Sequence, residues 1–556
     1  MNSKNLTEKV KEYRYEIIFG AILIVYFFNL FIDVMEVDAA QYAEISMEMS
    51  VTKNFLHVFQ QGQDYLDKPP LLFWLSSLSM IILGISGFAY KLPSVLIALL
   101  GIYSTYRFAR IYYSKEKSIL ASLILASSQA LFLITNDIRT DTALLGLVMF
   151  SVWQLSEYLI QPKWKHLVLA SVAIGGAMMA KGPIALIIPA AAFGSDLLLK
   201  RQWKNIFKPQ WIILLLIVAI TLIPMSWGLY TQYDLHPEKT VYGLHGPSGL
   251  RFFYWTQSFG RITGENYWQN DAGYFFFFHS ILWDFQPWVL LFIPALILKV
   301  RKMILNKFRS GNEEEYITLG GFVLVFIALS LSKYKLPHYI FVLFPFASIM
   351  AADFIYELKG RLLSRISKVQ FGIMQLFWLL ILVDFIFFFP PKNPVLPTVL
   401  ALMFACNIYL FRKLTGTVER IFLPTLVTAI GFNLLMGLNF YPNLLCYQST
   451  SQAGRMMHAN NIPAGKIYCY KQSDCSFDFY ARRLTPTVDS VTIKNLKTGT
   501  WVYLNGLDLP EIKRNKIPYQ EVKVFPSFKV TALELPFLYA KTRNQCLKND
   551  YLIEIQ

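Results

Sequence analysis

Charged residues are scarce in this chain. They make up 16% of it, where a soluble domain carries about 25%. With a mean hydropathy of +0.41, that deficit excludes water as the main solvent and points to lipid. Acidic residues are the scarcer sign, 36 against 52 Lys and Arg. The resulting charge of +16 is not read as nucleic-acid binding, because no RNA or DNA motif occurs and basic loops flanking apolar helices account for the same excess. Cysteine is limited to five residues. Cys406 lies in an apolar run and reads as a packing residue, whereas Cys446, Cys469, Cys475 and Cys546 all fall in the polar C-terminal part. An even number there is compatible with two disulfides in an oxidising compartment, and equally with free thiols. Internal repeats and low-complexity linkers are lacking too. So is a small-residue cleavage site near the start. Residues 1–14 are polar, with Lys4, Lys9, Lys11 and Arg14, and an apolar run of about 20 residues follows, long enough to span. It reads as a first transmembrane helix with its N-terminus inside.

What is abundant is apolar sequence. Runs of sufficient length cover 15–34, 71–87, 91–111, 117–135, 140–160, 167–181, 183–199, 210–230, 278–298, 317–332, 338–356, 368–389, 395–411 and 420–440. The loops richest in Lys and Arg are 107–117, 163–165, 200–208, 299–309, 359–368 and 412–420, and those between them are poorer. The two sets alternate across a membrane only if one early run does not cross. The run 71–87 is short, follows Pro69 and Pro70, and contains Ser76, Ser77, Ser79, Gly84 and Gly87. It is expected to lie at the surface or to dip in and out. About thirteen spans remain, with a cytoplasmic N-terminus and the C-terminal part outside.

The chain therefore divides into a membrane part, 1–440, with outer loops 35–70 and 231–277, and a polar part, 441–556. Strand-like pieces occur at 466–470, 500–505 and 522–524, with alternation around 528–535 and a short helix over 476–483. A small α/β domain is expected there. Loop 231–277 is long and rich in aromatics; loops of that length are usually functional or disordered, and its aromatic content argues against disorder.

The outer charges need explanation. Loop 35–70 holds Glu36, Asp38, Glu44, Glu48, Asp64 and Asp67 against Lys53 and Lys68. A solvated acidic loop is the plain reading. Asp137, Arg139 and Asp141 interrupt two apolar runs almost without a loop; charges at such a boundary face a cavity or each other. They form either an Arg–Asp pair capping a tight turn or a group with Asp141 pointing into an outer cavity. Lys68 is held extended by the following proline. Lys333 and Lys335 lie on the outer face against the positive-inside trend, and Arg251 and Arg261 lie in the long outer loop. A phosphate headgroup satisfies such cations, as does ordinary anionic lipid. Carboxylates beside phosphate-binding cations suit group transfer from a phosphorylated lipid: a carboxylate takes the proton of an acceptor hydroxyl, and cations stabilise a phosphate leaving group.

Five short segments resemble one family. Asp38, Tyr42, Ala43, Glu44 and Ile45 resemble the "D-x-x-x-Y-A-E-I" start of the first outer loop in bacterial aminoarabinose (4-amino-4-deoxy-L-arabinose) transferases, which are related to protein O-mannosyltransferases. Tyr65, Lys68, Pro69, Pro70 and Leu71 resemble the family's "Y-x-x-K-P-P-L". Arg139-Thr140-Asp141, Ala180-Lys181-Gly182-Pro183 and the segment 332–339, from Ser332 to Tyr339, fit its pattern in the same order. The resemblance implies a polytopic α-helical GT-C glycosyltransferase fold with a small C-terminal α/β periplasmic domain. It implies an inverting glycosyltransferase of the bacterial inner membrane that takes a sugar from undecaprenyl phosphate and gives it to lipid A or another envelope glycan. Carried onto this sequence, Asp38 and Asp141 are the acidic members, with Glu44 as a further catalytic candidate. Lys68, Arg261 and Tyr339 hold the donor phosphate, assisted by Lys333 and Lys335. Asp67 stands where a family carboxylate meets a metal, and no metal or other cofactor is expected to be required. Ala39, Ala40 and Gln41 replace the acidic and Arg-containing version common in the aminoarabinose enzymes, which weighs against aminoarabinose in particular.

Two other readings compete. One is a protein O-glycosyltransferase. The other is a transporter of the lipid-linked sugar, which would place its polar groups near mid-membrane and carry inverted repeats; here they gather at one face. A structural envelope protein leaves the pairing of cations with carboxylates unexplained.

Overall fold

In a computed structural model, the structure describes residues 13–263, 265, 270, 272–308 and 314–556. Seven helical segments among them are long and apolar enough to cross a membrane: Gly87–Tyr112, Thr140–Ile160, Trp203–Asp234, Pro337–Glu357, Gly360–Phe388, Val395–Lys413 and Glu419–Tyr447. An eighth is counted if Lys115–Ser127 and Gln129–Asn136, bent by 51°, form one span. Shorter apolar helices are Leu71–Leu83, Ile184–Leu199 and Ile317–Ser330.

Two of the expected continuous runs are broken. The run 117–135 bends at Ser128, and the run 278–298 splits into Phe276–Asp284 and Val289–Leu305 around Pro287. The breaks satisfy one another. Gln129 N–H donates to the Gln286 carbonyl at 2.8 Å, and the Trp288 indole donates to Ser127 Oγ at 2.9 Å. Buried backbone freed by a helix break needs such partners.

Helix Thr140–Ile160 packs closely on Gly87–Tyr112. A Cβ on Gly146 would stand 2.2 Å from the Ile97 carbonyl oxygen, so only glycine permits this approach. It fixes the height of Asp141, five residues earlier.

Loops 35–70 and 231–277 carry two small hairpins. Strands β1 (Phe59–Gln60) and β2 (Gln63–Asp64) pair antiparallel, as do β3 (Thr240–Val241) and β4 (Leu244–His245). Both have two-residue turns whose first residue is non-glycine at positive φ: Gln61 at 51° and Tyr242 at 53°, each followed by glycine. Such primed turns suit the strand twist.

The C-terminal part holds a five-stranded mixed sheet in the order β6-β5-β7-β9-β8, with β5 (Ile467–Tyr470), β6 (Thr487–Val488), β7 (Trp501–Leu504), β8 (Tyr519–Ser527) and β9 (Lys548–Ile555). Strand β5 runs parallel to β6 and β7; β9 is antiparallel to β7 and β8. Helices Ser449–Ala459 and Cys475–Ala481 pack together, and the second also packs on helix Asp38–Thr52. The alternation at 528–535 is not a strand. Phe528 stacks on Phe537 with ring centroids 3.7 Å apart, and its N–H donates to the Tyr447 carbonyl, so these apolar residues meet the helical part instead of the sheet. All five cysteines are unpaired.

Candidate active site

One cavity of about 420 Å³ gathers side chains from segments 37–69, 139–144, 181–187, 242–259 and 328–342. Its polar wall includes Asp38, Gln41, Tyr42, Asp67, Lys68, Arg139, Asp141, Lys181, His338 and Tyr339. Its apolar wall includes Leu144, Ile184, Ile187, Phe252, Phe253, Leu329 and Val342.

Asp38 is the first residue of helix Asp38–Thr52, where a carboxylate is favoured by the helix dipole. It pairs with the Arg139 guanidinium through Nη1, while Arg139 Nε donates to Asp137 at 2.9 Å. Arg139 therefore forks between two carboxylates and holds Asp38, the most exposed of the three at 38%, at the cavity wall. Tyr42 lies one turn along the same helix. Burial, followed by the charges of Asp38 and Asp67, holds its hydroxyl well above the ordinary phenol range, so it stays protonated.

Asp67 and Lys68 pair directly at 2.5 Å. The other Asp67 oxygen accepts from Gln257 Nε2 at 2.9 Å. Nearby, the buried Tyr65 hydroxyl has no hydrogen-bond partner on a residue that lines the cavity. Asp67 does not fit a metal site: its donors are an ammonium and an amide, and no group of three His, Cys, Asp or Glu capable of holding an ion occurs among the described residues.

Asp141, 2% exposed, stands in the first turn of helix Thr140–Ile160. It forms an ion pair with Lys181 and faces His338 Nε2 at 3.7 Å. Lys181 ends helix Trp164–Lys181, a position that the dipole favours for a cation. Its ammonium lies 4.0 Å from the Tyr339 ring centroid, a cation–π distance.

Of the residues singled out from sequence, Asp38, Asp141, Lys68, Tyr339 and Asp67 thus share one cavity. Others are placed elsewhere. Glu44 is fully buried behind it. It accepts from the Gln61 N–H at 3.3 Å, and Glu48 accepts from the Gly62 N–H at 3.1 Å. Gln61 Nε2 also donates to Asp478 at 2.9 Å. Burial, then the charges of Glu48 and Asp478, pushes the Glu44 carboxyl well above the carboxylate range. Glu44, expected as a further catalytic candidate, lies at the contact with the C-terminal part and does not line the cavity. Lys335 is also buried, donating to the Ala272 carbonyl at 2.8 Å. Neither it nor Lys333, both expected to assist with the donor phosphate, is among the residues lining the cavity. The side chain of Arg261 lies outside the described residues. Arg251 is 72% exposed beside Glu265.

Sequence reasoning did not assign Lys181, His338 or the hold of Arg139 on Asp38. Lys181 and His338 did stand in motif segments, which was the available signal. Three carboxylates each paired with a cation, beside an apolar wall, suit a ligand with an anionic group on a hydrocarbon tail: an incoming phosphate exchanges partners with ion pairs already in place.

Residues 67–227 match the family described as dolichyl-phosphate-mannose-protein mannosyltransferase. Over 332 residues, 58% of it, the chain is 27% identical to the undecaprenyl phosphate-alpha-4-amino-4-deoxy-L-arabinose arabinosyl transferase of Edwardsiella ictaluri. It is also 27% identical over 320 residues, 56% of it, to an enzyme of the same description from Proteus mirabilis. These alignments take in 56% and 54% of the relatives, so the chain spans about half the length of each. The fold resembles that of ArnT from Cupriavidus metallidurans in its undecaprenyl phosphate-bound crystal structure, with a TM-score of 0.73 over 97% of both chains at 17% identity. That likeness shows the GT-C fold. By sequence over little more than half its length, and by fold over nearly all of it, the chain is similar to the aminoarabinose transferases.

Proposed function

We propose that this chain is an inverting glycosyltransferase that moves a sugar from a polyprenyl-phosphate donor, undecaprenyl phosphate in bacteria, to lipid A or another envelope glycan. The observation that carries the reading is the single cavity in which Asp38, Asp141, Lys68 and Tyr339 meet beside an apolar wall. Relatives named for undecaprenyl-phosphate-linked aminoarabinose transfer support the donor class.

In this reading the acceptor oxygen attacks the anomeric carbon. The bond from that carbon to the phosphate oxygen breaks, and the polyprenyl phosphate leaves with the electron pair. Lys68 and Tyr339, with Arg261, hold the leaving phosphate as its charge grows. Asp38 and Asp141 face the sugar. A phosphate acceptor is already nucleophilic and needs no base; Asp38, held by Arg139, then stabilises positive charge on the ring. A hydroxyl acceptor hands its proton to Asp38.

The same reading places the protein in the bacterial inner membrane, with its N-terminus cytoplasmic and 441–556 periplasmic, and takes about thirteen spans from the apolar runs and the alternation of their basic loops. The run 71–87, whose helix Leu71–Leu83 has 13 residues, is the one left out of that count.

A second reading, a protein O-glycosyltransferase, is favoured by the match over 67–227 to protein mannosyltransferases. The test is mass spectrometry of lipid A, other envelope glycans and surface proteins from cells with and without this chain. A sugar missing from lipid A or another glycan supports the first reading, and one missing only from proteins supports the second. No change in any of them overturns both.

A further inference from the structure

Lys91 is fully buried in the first two turns of helix Gly87–Tyr112. Both facts run against its chemistry. A cation is disfavoured by the dipole at a helix N-terminus, and burying one without a counter-ion is costly. What compensates is a full set of neutral acceptors. Its three ammonium protons meet the Ile32 carbonyl at 2.8 Å, Asn136 Oδ1 at 3.2 Å and the Asn29 carbonyl at 3.3 Å.

Those acceptors belong to two separate segments. Asn29 ends helix Arg14–Asn29, and Ile32 opens the turn that leads, six residues on, to Asp38. Asn136 ends helix Gln129–Asn136, three residues before Arg139. The neighbouring Tyr90, also fully buried, donates through its hydroxyl to the Ile138 carbonyl at 3.1 Å, and its own carbonyl accepts from Ser76 at 2.9 Å. One helix start therefore ties the segment bearing Asp38 to the segment bearing Arg139, which pairs with it.

We propose that Lys91 is a positioning residue: its buried ammonium fixes the two segments so that Arg139 holds Asp38 at the cavity. The kinetic consequence rests on the transferase reading above; the structural one does not. The test compares Lys91→Met, which removes charge and donors, with Lys91→Arg, which keeps both. Full-length protein is used for sugar transfer and for backbone hydrogen exchange. Lys91→Met is expected to exchange faster at 33–41 and 136–142 with the remaining helices unchanged. Because a displacement of about 1 Å costs on the order of 10²-fold in rate, its kcat is expected to fall by about that factor with the donor KM within about two-fold. Lys91→Arg is expected to recover part of the rate and of the protection. Unchanged exchange at both segments in Lys91→Met overturns the proposal whether or not the wild type transfers sugar. Exchange raised throughout the bundle, with Lys91→Arg no better, assigns Lys91 to general stability and overturns it as well. A wild type without transfer activity defeats the transferase reading and leaves the exchange result to decide the placement role.

Discussion

The Lys181 ammonium lies 4.0 Å from the centroid of the Tyr339 ring while pairing with Asp141. One cation thereby joins the end of helix Trp164–Lys181 to the start of two others, Thr140–Ile160 and Pro337–Glu357. Lys181→Met removes the charge and keeps much of the length. It leaves Asp141 almost buried beside His338. Loss of one group that stabilises transition-state charge costs about 10²–10³ in kcat, and a drop of that order is expected in steady-state transfer by purified protein. Wild-type kcat in the variant would show that Lys181 has no part in the reaction.

Arg139 reaches Asp38 through Nη1 and Asp137 through Nε. An ammonium is a point charge without that fork. Arg139→Lys is therefore expected to lose nearly as much activity as Arg139→Ala, about 10-fold or more, given that leaving a charge-assisted hydrogen bond unmade costs about 1–3 kcal/mol. Lysine at wild-type activity would mean that charge alone suffices.

Lys68 is assigned to the donor phosphate. Hydrogen bonds to charged groups are worth about 1.5–3 kcal/mol, so Lys68→Ala is expected to weaken undecaprenyl phosphate binding by roughly 10- to 150-fold. Titration of the detergent-solubilised variant with undecaprenyl phosphate measures this. Asp67→Asn, which frees Lys68 from its 2.5 Å partner, is expected to move affinity far less.

Glu44, Glu48 and Asp478 meet where helix Asp38–Thr52 touches the C-terminal part. Burial raises all three carboxyls, that of Asp478 to about 6. The folded chain then binds more protons than the unfolded one. The stability they contribute is complete below about pH 4 and is lost as pH rises through about 6 for Asp478. The slope is up to about 1.4 kcal/mol per pH unit per proton. Glu44→Gln is expected to flatten the fall and to raise the melting temperature at pH 7.5. Thermal melts between pH 5 and 8 with the same slope in both proteins would refute this.

Much of the fold was legible because apolar runs and basic loops are local signals. The helix breaks at Ser128 and Pro287 were not, since each is stabilised by the other through a bond that crosses 161 residues of sequence. Strand β9 was missed because Leu552 and Ile553, both fully buried, are adjacent and blur the period of two. In the site, Asp38, Lys68, Asp141 and Tyr339 stood out as charges or motif residues at membrane boundaries, and one cavity gathers all four. The pairing of Arg139 with Asp38 crosses 101 residues and leaves no local trace. Lys91 opens the apolar run 91–111, and nothing local in the sequence marks its burial or its partners. Glu44 shared a motif with Asp38, but lies six residues along the same helix, beyond reach of the cavity wall.

The central claim is that Asp38 acts at the sugar. The most direct measurement is transfer from a polyprenyl-phosphate-linked sugar by purified Asp38→Asn beside wild type, at matched insertion and folding. A fall of about 10²-fold or more is expected, the order seen when one group that stabilises the transition state is removed. Full activity in Asp38→Asn would contradict the account.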